Sequence, residues 1–134
     1  MLTNITTNQT AIRIYYGHTD AAGIVFHANY LHFADQGRTE MLRALNYDVT
    51  RQDIVLAVVN INIQFHASAH LDDLITVTST IKQIGGASME VVQQISRDDK
   101  PLCELTVTLV AIGEAKHAVP IPQMLRQLEL DSHA

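Results

Sequence analysis

The stretch Ala28-Asn29-Tyr30-Leu31-His32-Phe33-Ala34-Asp35-Gln36-Gly37-Arg38-Thr39-Glu40-Met41-Leu42-Arg43-Ala44-Leu45 decides how the rest of the chain must be arranged. It holds good helix formers and no proline. Leu31, Ala34, Met41 and Leu45 fall on one stripe at helical spacing, so the stretch is predicted to form one long helix with Asn29 as its N-cap. Gly37 costs about 1 kcal/mol in mid-helix relative to alanine. Its presence points to another backbone packed closely there, as when a sheet wraps round the helix.

On the N-terminal side, Ile12, Ile14 and Tyr16 alternate with Arg13 and Tyr15, which predicts a strand over 11–16. The Gly-containing stretch His18-Thr19-Asp20-Ala21-Ala22-Gly23 and the apolar Ile24-Val25-Phe26 then form a loop leading to the helix. After Asp53 the period becomes two: Val59, Ile61, Ile63 and Phe65 share one face, Asn60, Asn62, Gln64 and His66 the other. Further strands are predicted over 74–84, 88–96 and 102–112. Gly85-Gly86 and Asp98-Asp99-Lys100-Pro101 are the turns between them, and Pro120 and Pro122 close the last strand. A flat open sheet would leave much of a long central helix exposed. The expected architecture is therefore α+β, an antiparallel sheet of about five strands curled round one helix, with an edge strand paired to a second subunit.

The 134 residues are read as one domain over 1–134, with 47% hydrophobic and 17% charged residues, a globular composition. A net charge of −5 and nine scattered Lys and Arg leave no basic footprint for nucleic acid. Met1–Thr10 has neither a basic n-region nor an apolar h-region, and no apolar run approaches the roughly 18 residues that span a bilayer. A cytoplasmic location without membrane insertion is the expectation. The single Cys103 lies in an alternating apolar segment and is read as core.

The segment Tyr15-Tyr16-Gly17-His18-Thr19-Asp20-Ala21-Ala22-Gly23-Ile24-Val25-Phe26-His27-Ala28-Asn29-Tyr30 resembles the signature of the 4-hydroxybenzoyl-CoA thioesterase family, including its branch of short acyl-CoA thioesterases associated with the bacterial Tol-Pal system. The resemblance rests on Thr19-Asp20, Gly23, Ile24-Val25 and Phe26, and on Arg38-Thr39-Glu40-Met41-Leu42 in the helix. It extends more weakly to Ala69-His70-Leu71-Asp72-Asp73 and Gly86-Ala87-Ser88, covering roughly 11–113. His18, at a position often acidic in that branch, and Asp35, where a glutamate is common, depart from its pattern. The resemblance implies a hot-dog fold, acyl-CoA as substrate, a homodimer or homotetramer, and no cofactor beyond the coenzyme A of the substrate.

It also assigns roles. Asp20 would be the catalytic carboxylate, either attacking the thioester or activating a water. The backbone N–H of His27, at the helix start, would receive the developing oxyanion, where free N–H groups and the positive dipole end favour negative charge. Gly23 would let the loop approach the substrate, and Tyr30 would line an acyl pocket or else belong to the core. Without the resemblance, Asp20 reads as a turn or cap residue. His18, two residues before Asp20 in an extended segment, would point to the same side and favour the anion if charged.

The rivals to Asp20 are Asp35 and Glu40, which with Arg38 form either a functional cluster or a structural ion pair. His66, His70, Asp72 and Asp73 invite a metal, but the four-residue histidine spacing suits a helix and this stretch reads as strand end and turn; no metal is expected. Lys82, Arg97, Lys100 and Lys116 are possible partners for the phosphates of coenzyme A, with none singled out. A dehydratase of the same fold would need a His–acid arrangement that the sequence lacks. A non-catalytic acyl-CoA-binding module and a thioesterase for carrier-protein-bound chains remain the alternatives.

Overall fold

A helix that buries Tyr30, Phe33, Ala34, Gly37, Arg38, Met41 and Leu42 needs an apolar surface to cover it, and the alternating strands supply one. The computed structural model describes residues 7–128. Its elements are β1 (Thr7–Arg13), α1 (Asn29–Ala44), β2 (Ile54–Phe65), β3 (Leu74–Ile84), β4 (Ser88–Arg97), β5 (Lys100–Gly113) and the short α2 (Gln123–Arg126). The five strands form one antiparallel sheet in the order β1-β3-β4-β5-β2. Ile75, Val77 and Ile81 of β3, Met89, Val91 and Ile95 of β4, and Cys103, Leu105, Val107 and Leu109 of β5 are buried in a common core with the helix. Of the reading of Met1–Thr10, residues 1–6 lie outside the described part.

The expected architecture holds, with local corrections. β1 ends at Arg13, and a single 3₁₀ turn over Tyr16–His18 breaks the alternation, so Tyr16 is 82% exposed rather than facing inward. Asn29 is the first helical residue and not the cap. Its side-chain amide donates to the His18 carbonyl at 2.8 Å, which ties the helix to the loop before it. Ala34, Met41 and Leu45 lie in the core as expected, but Leu31 is 40% exposed. The inner stripe is set by Tyr30, Phe33, Gly37 and Met41, and Leu31 stands about 100° round the helix from Tyr30.

β2 begins at Ile54, and its register shifts at Val59, an extra residue with no partner on β5. Val58, Ile61, Ile63 and Phe65 pair with the inward residues Leu109, Val107, Leu105 and Cys103. Val58 therefore takes the place expected for Val59, because a bulge inserts one residue and moves the alternation by one. Asp98 and Asp99, with φ of 52° and 64°, make the β4–β5 turn alone, and Lys100-Pro101 already belongs to β5. β5 ends at Gly113, so the prolines do not close it; Pro122 instead precedes α2, which places Leu125 in the core.

The close approach at Gly37 comes from side chains, not from backbone. A Cβ there would lie 2.4 Å from Val77 Cγ1 and 3.0 Å from Ser79 Oγ, both on β3. Valine is stiff at χ1, so it cannot swing aside. Gly37→Ala should thus lower stability by about 1–2 kcal/mol, an overpacking penalty that outweighs the gain in helix propensity of about 1 kcal/mol. Urea unfolding midpoints would measure this; a more stable variant would show that the helix can move off the sheet freely.

Candidate active site

The loop between β1 and α1 folds on its own backbone. Asp20 N–H donates to the Ile24 carbonyl at 2.9 Å, Gly23 N–H to the Asp20 carbonyl at 3.0 Å, and Ala22 N–H to Asp20 Oδ1 at 2.8 Å. Gly23 has a φ of 82°, the left-handed region that disfavours a side chain, so glycine here shapes the turn. Asp20 is the turn residue that local chemistry suggests. Its Oδ2 has no protein partner among the described residues, and the residue lines a cleft of about 360 Å³.

That cleft is shared by Asp20, Ile24, Val25, His27, Tyr30 and Phe65, and by His66, Ala67 and Ser68 just beyond β2. No acceptor among the described residues meets the His27 N–H, which stands at the turn closed by Asn29 N–H on the Phe26 carbonyl. A residue with an unpartnered carboxylate oxygen and one with an unused backbone donor thus line one cleft. The exposed ring of His27 rests against Phe26 at 4.5 Å. Tyr30 is 3% exposed; its hydroxyl oxygen accepts the Ala69 N–H at 2.9 Å, and its ring meets Phe65 edge-on at 5.7 Å. Burial raises the Tyr30 pKa, so the group stays a neutral phenol.

The opposite wall is the chain between β2 and β3. Val25 N–H donates to Ala69 O at 2.9 Å, Ile24 bridges His70, and Leu71 N–H donates to Gly23 O at 3.3 Å. Asp73 anchors this wall from behind: Oδ2 accepts from His70 N–H at 2.8 Å and from Arg97 at 2.6 Å, and Arg97 also reaches Ser68 O at 3.4 Å. Burial pushes the Asp73 carboxyl up, but these donors together hold it below the usual carboxylate range. Arg97 is thereby committed to protein groups and is not a free cation for a phosphate.

His18 does not join Asp20. Its Nδ1 accepts the Tyr15 N–H at 2.9 Å, which requires a neutral ring in this geometry, and the ring packs edge-on against Phe33 at 5.0 Å. It borders a different cleft with Asp35 and Glu40, because the 3₁₀ turn rotates it away from the side an extended chain would give. The helix cluster also divides. Arg38 reaches Asp35 at 3.4 Å and Gln93 at 3.0 Å, whereas Glu40 pairs with Arg43. Neither carboxylate opens onto the cleft of Asp20.

His66 and His70 face separate partners, Glu104 at 3.1 Å and Asp73 at 3.8 Å. Cys103 is fully buried with its thiol pushed up to about 12 by burial, which fits a core residue. Reading from sequence missed Phe65, His66 and Ser68 as neighbours of Asp20. No local signal marks them, since they arrive from a strand at the far edge of the sheet.

The profile of the thioesterase superfamily matches residues 22–104. The chain belongs to that superfamily, a hydrolase family, and has its hot-dog fold. It is 35% identical over 109 residues to the acyl-CoA thioesterase YbgC of Haemophilus influenzae, covering 78% of this chain and 80% of that protein. It is 33% identical to the long-chain acyl-CoA thioesterase FadM of Escherichia coli, covering 89% and 94%. The crystal structure of a probable thioesterase from Bartonella henselae superposes with a TM-score of 0.81 at 27% identity, covering 87% of this chain and 99% of that one.

Arg97→Ala should loosen the wall of the cleft, with a stability loss of about 1–2 kcal/mol at neutral pH, typical of a charge-assisted hydrogen bond. Because the native Asp73 pKa is depressed, the contribution is full above the usual carboxylate range and fades as pH falls through the native value. Unfolding curves of wild type and variant from neutral to acid pH should therefore converge at the acid end. A gap that stays constant there would remove Asp73 from the explanation.

Proposed function

We propose that the protein hydrolyses acyl-CoA thioesters, with Asp20 as the group that attacks the thioester carbonyl or activates water against it. The observation that supports this reading is that Asp20 and His27 line one cleft, the first with a carboxylate oxygen and the second with a backbone N–H that no described residue engages. A thiolate is a good leaving group, so the reaction asks for a nucleophile or base and an oxyanion donor rather than for a strong general acid. The names of the relatives support the substrate class. The cleft of about 360 Å³ with Ile24, Val25, Tyr30 and Phe65 on its walls lies near the small end of ligand pockets, roughly 300–1,000 Å³, and supports a small aromatic or short-chain acyl group.

Asp20→Asn keeps the Oδ1 acceptor for Ala22 N–H, so stability should stay within about 0.5 kcal/mol. Thiol release from a panel of benzoyl, 4-hydroxybenzoyl and acetyl-to-decanoyl CoA thioesters should fall by on the order of 10³-fold or more in this variant. Normal turnover by a folded Asp20→Asn protein would transfer the role to another carboxylate. Silence from the wild type across the panel would point to carrier-bound substrates or to a binding module.

The same reading places the protein in the cytoplasm as a homodimer built through β2, an edge strand with Val55, Val59 and Phe65 exposed. None of the described helices is long and apolar enough to cross a membrane. Sedimentation of the wild type should give at least a dimer mass, and Val59→Lys should shift it towards the monomer. A monomeric wild type would remove the assembly from the proposal.

A further inference from the structure

We propose that Asn29 and Tyr30, successive residues of the first helical turn, are positioning residues for thioester hydrolysis: from two sides they hold the loop that carries Asp20 against the helix start at His27. This rests on Asp20 as the catalytic carboxylate and the His27 N–H as the oxyanion donor, and it names what sets their spacing. Neither Asn29 nor Tyr30 is required to touch the reacting atoms.

Asn29 holds the side of the loop that leads into Asp20. Its Nδ2 donates to the His18 carbonyl at 2.8 Å, and the Phe26 N–H donates to the same oxygen at 3.0 Å. The carbonyl two residues before Asp20 is therefore held by donors from either side of His27 in the chain. Tyr30 holds the side that leads out. Its hydroxyl oxygen accepts the Ala69 N–H at 2.9 Å, and the Ala69 carbonyl accepts the Val25 N–H, also at 2.9 Å. Tyr30, Ala69 and Val25 are all buried, so this link runs through the core and not through solvent. Val25 in turn bridges Thr19, and the Asp20 N–H donates to the neighbouring Ile24 carbonyl at 2.9 Å. Both residues flanking the turn through Asp20 are thus tied back to the helix start.

These bonds do nothing for the helix itself. The N–H groups of Asn29, Tyr30 and Leu31 are taken by the carbonyls of Phe26, His27 and Ala28, and no side chain caps the helix start. Asn29 and Tyr30 instead spend their polar atoms on the two segments that flank the cleft. The chemical reason is geometric. Misplacing reacting groups by about 1 Å can cost on the order of 10²-fold in rate. The carboxylate and the oxyanion donor act fully only in the transition state, so loosening one against the other lowers kcat and kcat/KM together and leaves KM in place.

Steady-state thiol release, measured well below the melting temperature with the acyl-CoA that the wild type turns over fastest, tests this with Asn29→Ala and Tyr30→Phe. Alanine is the better helix former, so Asn29→Ala removes the donor to His18 without weakening the helix. Phenylalanine keeps the ring that packs on Phe33 and Phe65 and loses only the acceptor for Ala69. In each variant kcat should fall by on the order of 10-fold or more, with KM within about twofold of wild type. Wild-type kcat in either folded variant overturns the proposal, because each residue holds a different side of the loop. A fall in kcat matched by a rise in KM also overturns it, since the residues would then serve substrate binding. If Tyr30→Phe does not fold, Asn29→Ala decides alone. Asp20→Asn tests the underlying reading separately: normal turnover there removes the carboxylate to be positioned, whatever the Asn29 and Tyr30 variants do.

Discussion

The chain has to return from one edge of the sheet to a strand on its other side. β2 pairs with β5, yet β3 follows β2 in sequence and lies beyond both β5 and β4. The segment from His66 to Asp73 must therefore pass across the end of the sheet, and it passes over the loop that begins the helix. Backbone bonds from Val25 to Ala69, Leu71 to Gly23 and Asp72 to Ile14 join the two segments. The cleft exists because these irregular stretches are held together with their polar groups satisfied, as buried backbone requires. Tyr30 and Arg97 complete the arrangement from the helix and from β4.

Behind the cleft, the helix is held on the sheet by a small buried polar network within an otherwise apolar interface. The Gln93 amide donates to Ala34 O and Ser79 Oγ, both at 2.8 Å, and its oxygen accepts from Arg38. Arg38 is 7% exposed, and burial lowers its pKa against the pull of Asp35. A buried guanidinium is costly unless its donors are used, and here the carboxylate and the amide use them. The network and the contact of Gly37 with Val77 set the same relation between helix and sheet, one by directional bonds and the other by excluded volume. That relation fixes where the helix start, and with it His27 and Tyr30, stands relative to β2.

The elements most legible in the sequence were those whose signals repeat locally. The alternation through β3, β4 and β5 survives with small shifts at the ends, because each strand buries one face and its period is two. Local reading failed where one residue changed the period. The 3₁₀ turn at Tyr16–His18 rotated His18 away from Asp20, and the bulge at Val59 exchanged that residue with Val58 on the inner face. Neither irregularity is visible in hydrophobic alternation alone, which continues smoothly on paper through both.

The sequence by itself determined the helix, the strands, the turn through Asp20 and Gly23, and the likeness to a family that places a carboxylate just before a helix. All of these depend on residues near one another along the chain, where spacing and turn chemistry act directly. Only the tertiary structure decided that β2 lies beside β5, that the crossing segment becomes the second wall of the cleft, and that His66 meets Glu104 from 38 residues away. Strand neighbours are chosen by how a whole sheet can cover the helix, a global packing condition that no short stretch of chain encodes.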